Sequence, residues 1–142
     1  MLIPDINLLI YAHNMRAAPH RDALAWWNER LNGHEGIGLP WVVILGFVRI
    51  ATHPKVFECP MSVEEAVGRV EEWLALPHID VLHPGDSHFA TWSGLIRGLG
   101  SGGNLTTDVH LAALAIERNA TLCSTDADFG RFSGLRWVNP LG

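Results

Sequence analysis

Cysteine is scarce in this chain: Cys59 and Cys123 lie far apart, and no Cys-x-x-Cys spacing occurs. That excludes a disulfide framework and a zinc ribbon, and it points to a reducing compartment. No apolar run is long enough to span a membrane. The first apolar stretch is interrupted at Asp5 and lacks a basic region before it, so no signal peptide is expected and the cytoplasm is the default location. Positive charge is also in deficit, with 10 Lys and Arg against 15 Asp and Glu and a formal net charge of −5. This argues against a general nucleic-acid coat. It does not exclude a nuclease, because an acidic metal site contributes several negative charges itself. Local help for a polyanion would come from Arg16, Arg21, Arg49, Lys55, Arg97, Arg131 or Arg136. Of these, Arg49 and Arg131 are the candidate substrate contacts. The eight histidines show no His-x-x-x-His or Cys/His ligand spacing, so structural or surface roles are expected for all of them. There is no Gly-x-Ser-x-Gly and no Walker-type loop, and Gly100 to Gly103 lack the strand-before-helix context of a phosphate cradle.

What is present is globular. An apolar share of 48% and a charged share of 18% over 142 residues suit one domain, residues 1–142, with a core that needs no covalent staples. Short apolar runs at Met1 to Pro4, Ile37 to Leu39, Ile79 to Leu82, Ala120 to Ser124 and Leu135 to Val138 read as strands. Helical spacing runs between them. Asn7 is placed to cap a first helix with Leu8, Leu9, Tyr11 and Ala12, and Asp22 to Leu31 reads as a second. Val42 to Ala51 reads as a third helix, with strand the alternative because of its β-branched residues. Ser62 and Glu65 form a capping box for the next. Ser87 begins a helix with Phe89, Trp92, Leu95, Ile96 and Leu99 inward. Thr106 and Thr107 are the expected caps of a buried apolar helix, with Asp108 in its first turn and Asn119 as a left-handed stop. Strands alternating with helices make this an α/β protein with a mainly parallel sheet.

Three aspartates stand where such a fold places ligands. Asp5 follows the first strand, Asp108 opens the buried helix, and Thr125-Asp126 ends the next strand. In open α/β sheets, ligands bind beyond the carboxyl ends of the strands. Carboxylates gathered there repel one another unless a cation joins them. Hard oxygen donors select Mg²⁺ or Mn²⁺ over zinc. Taken singly, each aspartate is better explained as a helix cap or strand terminus; taken together, the three favour a metal site. Asn7 and Thr125 flank the acids as auxiliary polar groups.

The residues also resemble a known family. Pro-Asp-Ile-Asn-Leu-Leu-Ile-Tyr-Ala at 4 to 12 resembles the opening of PIN domains, and Leu-Thr-Thr-Asp-Val-His-Leu-Ala-Ala-Leu-Ala at 105 to 115 resembles their acidic helix. Cys-Ser-Thr-Asp-Ala-Asp-Phe-Gly-Arg-Phe at 123 to 132 is similar to their close, particularly in VapC-type toxins. The resemblance implies a PIN-like three-layer α/β/α fold. It also implies a Mg²⁺-dependent endoribonuclease, the toxin of a type II toxin–antitoxin pair, cutting tRNA or rRNA. A cognate antitoxin protein and a homodimer come with it, and no membrane. Asp5 and Asp108 match the family's metal ligands, Asp126 its third acid, and Asp128 a further acid of many members. One departure stands out. The glutamate that typical members carry in the third helix is Gly46 here, and no carboxylate occurs between Glu35 and Glu58. Fewer protein ligands and more bound water follow, with weaker metal binding or a preference for Mn²⁺. The same departure motivates the alternative of a catalytically impaired RNA- or protein-binding module. A phosphatase of the haloacid-dehalogenase type is disfavoured, since it needs a second aspartate where Asn7 stands.

Overall fold

The computed structural model describes residues 1–142. Five strands, β1 (Leu2–Pro4), β2 (Ile37–Pro40), β3 (Ile79–Leu82), β4 (Thr121–Cys123) and β5 (Arg136–Val138), form one sheet in the order β3-β2-β1-β4-β5. Every pairing is parallel. Around it lie α1 (Ile6–His13), α2 (His20–Asn32), α3 (Trp41–Ala51), α4 (Val63–Leu74), α5 (His88–Leu99) and α6 (Leu105–Glu117). A parallel sheet needs both faces covered, and the result is the three-layer α/β/α arrangement. From β1 the chain adds strands outward to β3, then crosses to the other side of β1 for β4 and β5. The switch point of the sheet therefore falls between β1 and β4, where a crevice is expected. No helix is long and apolar enough to cross a membrane.

Local rules account for most element ends. Both halves of the Ser62–Glu65 capping box form, at 3.1 and 3.3 Å. Asn119 takes φ 52° after α6, and Gly100 takes φ 71° after α5. The region 41–51 is helix and not strand, because Val43, Ile44, Phe47 and Ala51 fall on one buried face at helical spacing.

Three expectations are corrected. Asn7 does not cap α1; Asp5 does, since its own backbone is still extended (φ −76°, ψ 157°) and its carboxylate accepts the Ile6 N–H. Thr106 and Thr107 do not cap α6. The helix already begins at Leu105 after Asn104, and the Thr106 hydroxyl donates to the Gly103 carbonyl instead. Phe89 does not face inward: it is 72% exposed and stacks on Trp92, and α5 has no fully buried residue. The helix packs chiefly on α6, so its apolar stripe is covered on one side only.

Candidate active site

Register sets the heart of the site. Pro4 pairs with Cys123 across β1 and β4, so the next residues, Asp5 and Ser124, leave the sheet side by side. The Asp5 N–H donates to the Cys123 carbonyl at 2.8 Å and closes the ladder. The Asp5 carboxylate is then held from both sides. One oxygen accepts the Ile6 N–H at 2.7 Å, and the other accepts the Ser124 hydroxyl at 2.7 Å. The same Ser124 oxygen accepts the Asp126 N–H at 3.0 Å and the Asn7 amide at 3.4 Å. Ser124 is wholly buried, and its one hydroxyl ties β1, α1 and the turn after β4 together. Burial pushes the Asp5 carboxyl above the usual aspartate range, and the charge of Asp126 adds to this, against the lowering effect of its two hydrogen bonds.

Asp108 comes to the same edge in the first turn of α6. Its pKa is raised from 3.8 to about 6 by burial first, then by the charges of Asp5, Asp126 and Asp128; Arg131 opposes them. Four acids from three regions of the sequence thus share one electrostatic environment. Asp126 caps a 3₁₀ turn at Ala127–Arg131, accepting the Asp128 N–H at 2.9 Å. That turn carries Asp128 out to an exposed position, while Phe129 anchors it in the core.

The donor set suits a hard divalent cation. It is all carboxylate, mutually repelling, and the side-chain oxygen of Asn7 is buried beside it with no partner. As the side chains stand, however, no three His, Cys, Asp or Glu groups are disposed to hold a metal ion. Asp5 directs both oxygens at the chain, and Asp126 directs one at Asp128. Rotation of these carboxylates is required before they could share an ion.

The other expected residues divide clearly. Asn7 reaches the site, donating to Thr125 Oγ1 at 3.0 Å and to Ser124, so it touches Asp5 only through Ser124. Thr125 is placed by that bond. Arg131 is within electrostatic reach of Asp108. Arg49 is exposed on the last turn of α3 with no hydrogen bond or ion pair to the acids. Gly46 is buried in α3 against Ile6 and supplies no carboxylate. Ser124 was not singled out by the sequence. Its signal was a polar residue ending an apolar strand, one step before an acid.

A concave surface lies at the far end of α1. A cavity of about 590 Å³ opens between α1, α2 and α4, lined by His13, Leu24, Trp27, Met61 and Trp73 among others. His13 Nδ1 donates to the Leu9 carbonyl at 2.7 Å, and burial lowers its pKa. Trp27 is buried, yet its indole N–H has no partner. Trp26 is half-buried beside it, and Trp41 is 51% exposed on α3, away from the cavity. The histidines are not all isolated: His88 bridges His110 at 2.8 Å and Glu117 at 3.0 Å, tying α5 to α6.

Fold and site together define an α/β/α protein with a cluster of acids at the switch point of a parallel sheet. A PIN domain family model matches residues 2–135. The chain is 46% identical over 141 residues to Ribonuclease VapC33 of Mycobacterium tuberculosis, covering 99% of each chain. It is 41% identical over 140 residues to Ribonuclease VapC37 of the same organism, covering 99% of this chain and 97% of that one. The solved structure of VapBC-1 from nontypeable Haemophilus influenzae has the same fold, with a TM-score of 0.70 at 18% identity over 99% and 98% of the two chains. The chain belongs to the PIN-domain family and is of the VapC type.

Proposed function

We propose that this protein is a divalent-cation-dependent endoribonuclease, the toxin of a toxin–antitoxin pair, acting on tRNA or rRNA. The observation that carries this reading is the meeting of Asp5, Asp108 and Asp126 at the β1/β4 switch point, with Arg131 as the opposing cation. The names of the VapC relatives support the ribonuclease assignment.

Asp5, Asp108 and Asp126 would hold Mg²⁺, or Mn²⁺, and Asn7 offers an unpartnered oxygen beside them. When bound, the cation supplies a water of lowered pKa and offsets charge growing on the phosphate. The protein's own residues do the rest. Ser124 holds the Asp5 carboxylate at the end of β1, the place from which it would turn to meet the cation. Asn7 and the Asp126 N–H in turn fix the Ser124 hydroxyl. Arg131 balances the acids and attracts the phosphodiester, and the amides at the start of α6 can orient a phosphate oxygen. Arg49, farther out on α3, belongs to the approach of the RNA. The cavity between α1, α2 and α4 suits an amphipathic helix of the antitoxin, with the Trp27 N–H awaiting an acceptor. A homodimer in the reducing cytoplasm completes the proposal, and the free thiols Cys59 and Cys123 suit that setting.

Labelled tRNA and rRNA fragments incubated with the protein in Mg²⁺ and in Mn²⁺ test the reading. Cleavage that stops in EDTA is the expected result, while cleavage surviving EDTA contradicts it. Binding without cutting would instead favour the non-catalytic module that Gly46 motivates.

A further inference from the structure

Gly46 has no backbone reason to be glycine. It lies in the interior of α3 and is not among the residues with positive φ, and glycine there costs about 1 kcal/mol relative to alanine. The reason is steric. A β-carbon at position 46 would stand 2.5 Å from Ile6 Cδ1, 3.0 Å from Cγ1 and 3.4 Å from Cγ2. A turn about the outer bond of Ile6 moves Cδ1 alone and leaves Cγ1 too close. The inner bond of a β-branched residue in a helix is stiff, so rotation relieves the crowding only in part. α3 therefore carries a notch at Gly46, and Ile6 is seated in it.

Ile6 is the residue whose N–H holds Asp5. It is the first residue of α1, half-buried, and it donates to one Asp5 oxygen at 2.7 Å. Ser124 holds the other oxygen from the β4 side. The carboxylate is thus gripped between two supports, and the one on the α1 side is only as firm as the Ile6 seat. We infer that Ile6 and Gly46 form a positioning pair, in which the notch in α3 sets the start of α1 and thereby fixes the place from which the Asp5 carboxylate turns onto a divalent cation. This rests on the proposed reading of Asp5 as a ligand. It adds two apolar residues to the machinery, neither of which touches the ion.

Four proteins test it, wild type, Gly46→Ala, Gly46→Ala with Ile6→Val, and Asp5→Asn, with Mn²⁺ affinity read by calorimetry and melting read separately in EDTA. Gly46→Ala is expected to weaken Mn²⁺ binding about tenfold, the order seen when outer supports of a ligand are lost. Ile6→Val removes Cδ1, the atom at 2.5 Å, and leaves the 3.0 Å contact, so the double variant is expected to regain part of that affinity. A merely structural role would lower the melting temperature of Gly46→Ala and leave the Mn²⁺ dissociation constant of the folded protein unchanged. If Gly46→Ala does not fold, Ile6→Ala takes its place; it empties the notch without a clash and keeps the N–H, and it too is expected to bind Mn²⁺ more weakly. Wild-type affinity in Gly46→Ala or in Ile6→Ala overturns the inference, as does a double variant no better than Gly46→Ala. Asp5→Asn keeps the two failures apart. If it binds Mn²⁺ as wild type does, the ligand reading itself falls and the seat with it.

Discussion

The two ends of α1 lie only eight residues apart and are built on opposite principles. At its start, Asp5 shares its electrostatic environment with Asp108 and Asp126, and hydrogen bonds from Ile6 and Ser124 hold it in place. At its end, His13 lies among the rings of Phe47 and Trp73, with centroids 5.1 and 5.6 Å away. Burial acts on both titratable groups, raising the acid and lowering the base. Both are thereby pushed toward neutrality, and the consequences differ. Neutrality suits an imidazole in an aromatic wall. A carboxylate cluster can instead be relieved by a cation, which under the proposed function would make the acidic end a site and leave the other a surface for packing.

The largest effect that separates the two ends is loss of an acid. Asp5→Asn and Asp108→Asn are each expected to lower RNA cleavage about 100-fold or more. The fold should be kept, because a neutral amide removes like-charge repulsion. Gel assays beside circular dichroism check this, and undiminished cleavage would move the active site elsewhere. Next comes Ser124→Ala. It strips a donor from Asp5 and an acceptor from Asp126 and Asn7, and it is expected to cost about 1–3 kcal/mol in urea unfolding as well as cleavage.

The pH dependence of the two ends runs in opposite directions. Asp108 keeps its proton in the folded state up to about 6, while its unperturbed value is 3.8. The folded state therefore binds more protons in that window, and stability conferred by the protonated group is lost as pH rises through it. His13 has a folded pKa below 6.5. The unfolded state binds more protons there, so stability is lost as pH falls below 6.5. Melting temperatures in EDTA across this range should show Asp108→Asn flattening the first loss and His13→Asn the second. A single variant that flattens both would break the separation. The smallest effect is expected at Phe89, exposed on α5, where Phe89→Ser should change stability by no more than about 0.5 kcal/mol.

How much of this could be read from the chain follows from the range of each interaction. The gathering of Asp5, Asp108 and Asp126 was legible because each marks an element boundary, and parallel topology carries such boundaries to one edge. The strands were legible for the same local reasons. Asn7 was misread because the capping rule asks which residue is still extended, and Asp5 had already taken that role. The inward placement of Phe89 failed because periodicity reports which face is apolar, not whether anything covers it. Ser124 became a hub only through the β1–β4 register. The notch at Gly46, the His88–His110–Glu117 bridge and the aromatic cavity each join segments distant in sequence. No local rule specifies such contacts.

The central claim is that acids from opposite ends of the sequence turn onto one divalent ion. Anomalous diffraction from crystals grown in Mn²⁺ tests it most directly. The expected result is a peak with carboxylate oxygens of Asp5, Asp108 and Asp126 about 2.1 Å away, lost in Asp5→Asn. A peak lying elsewhere, or one that survives that substitution, would contradict it.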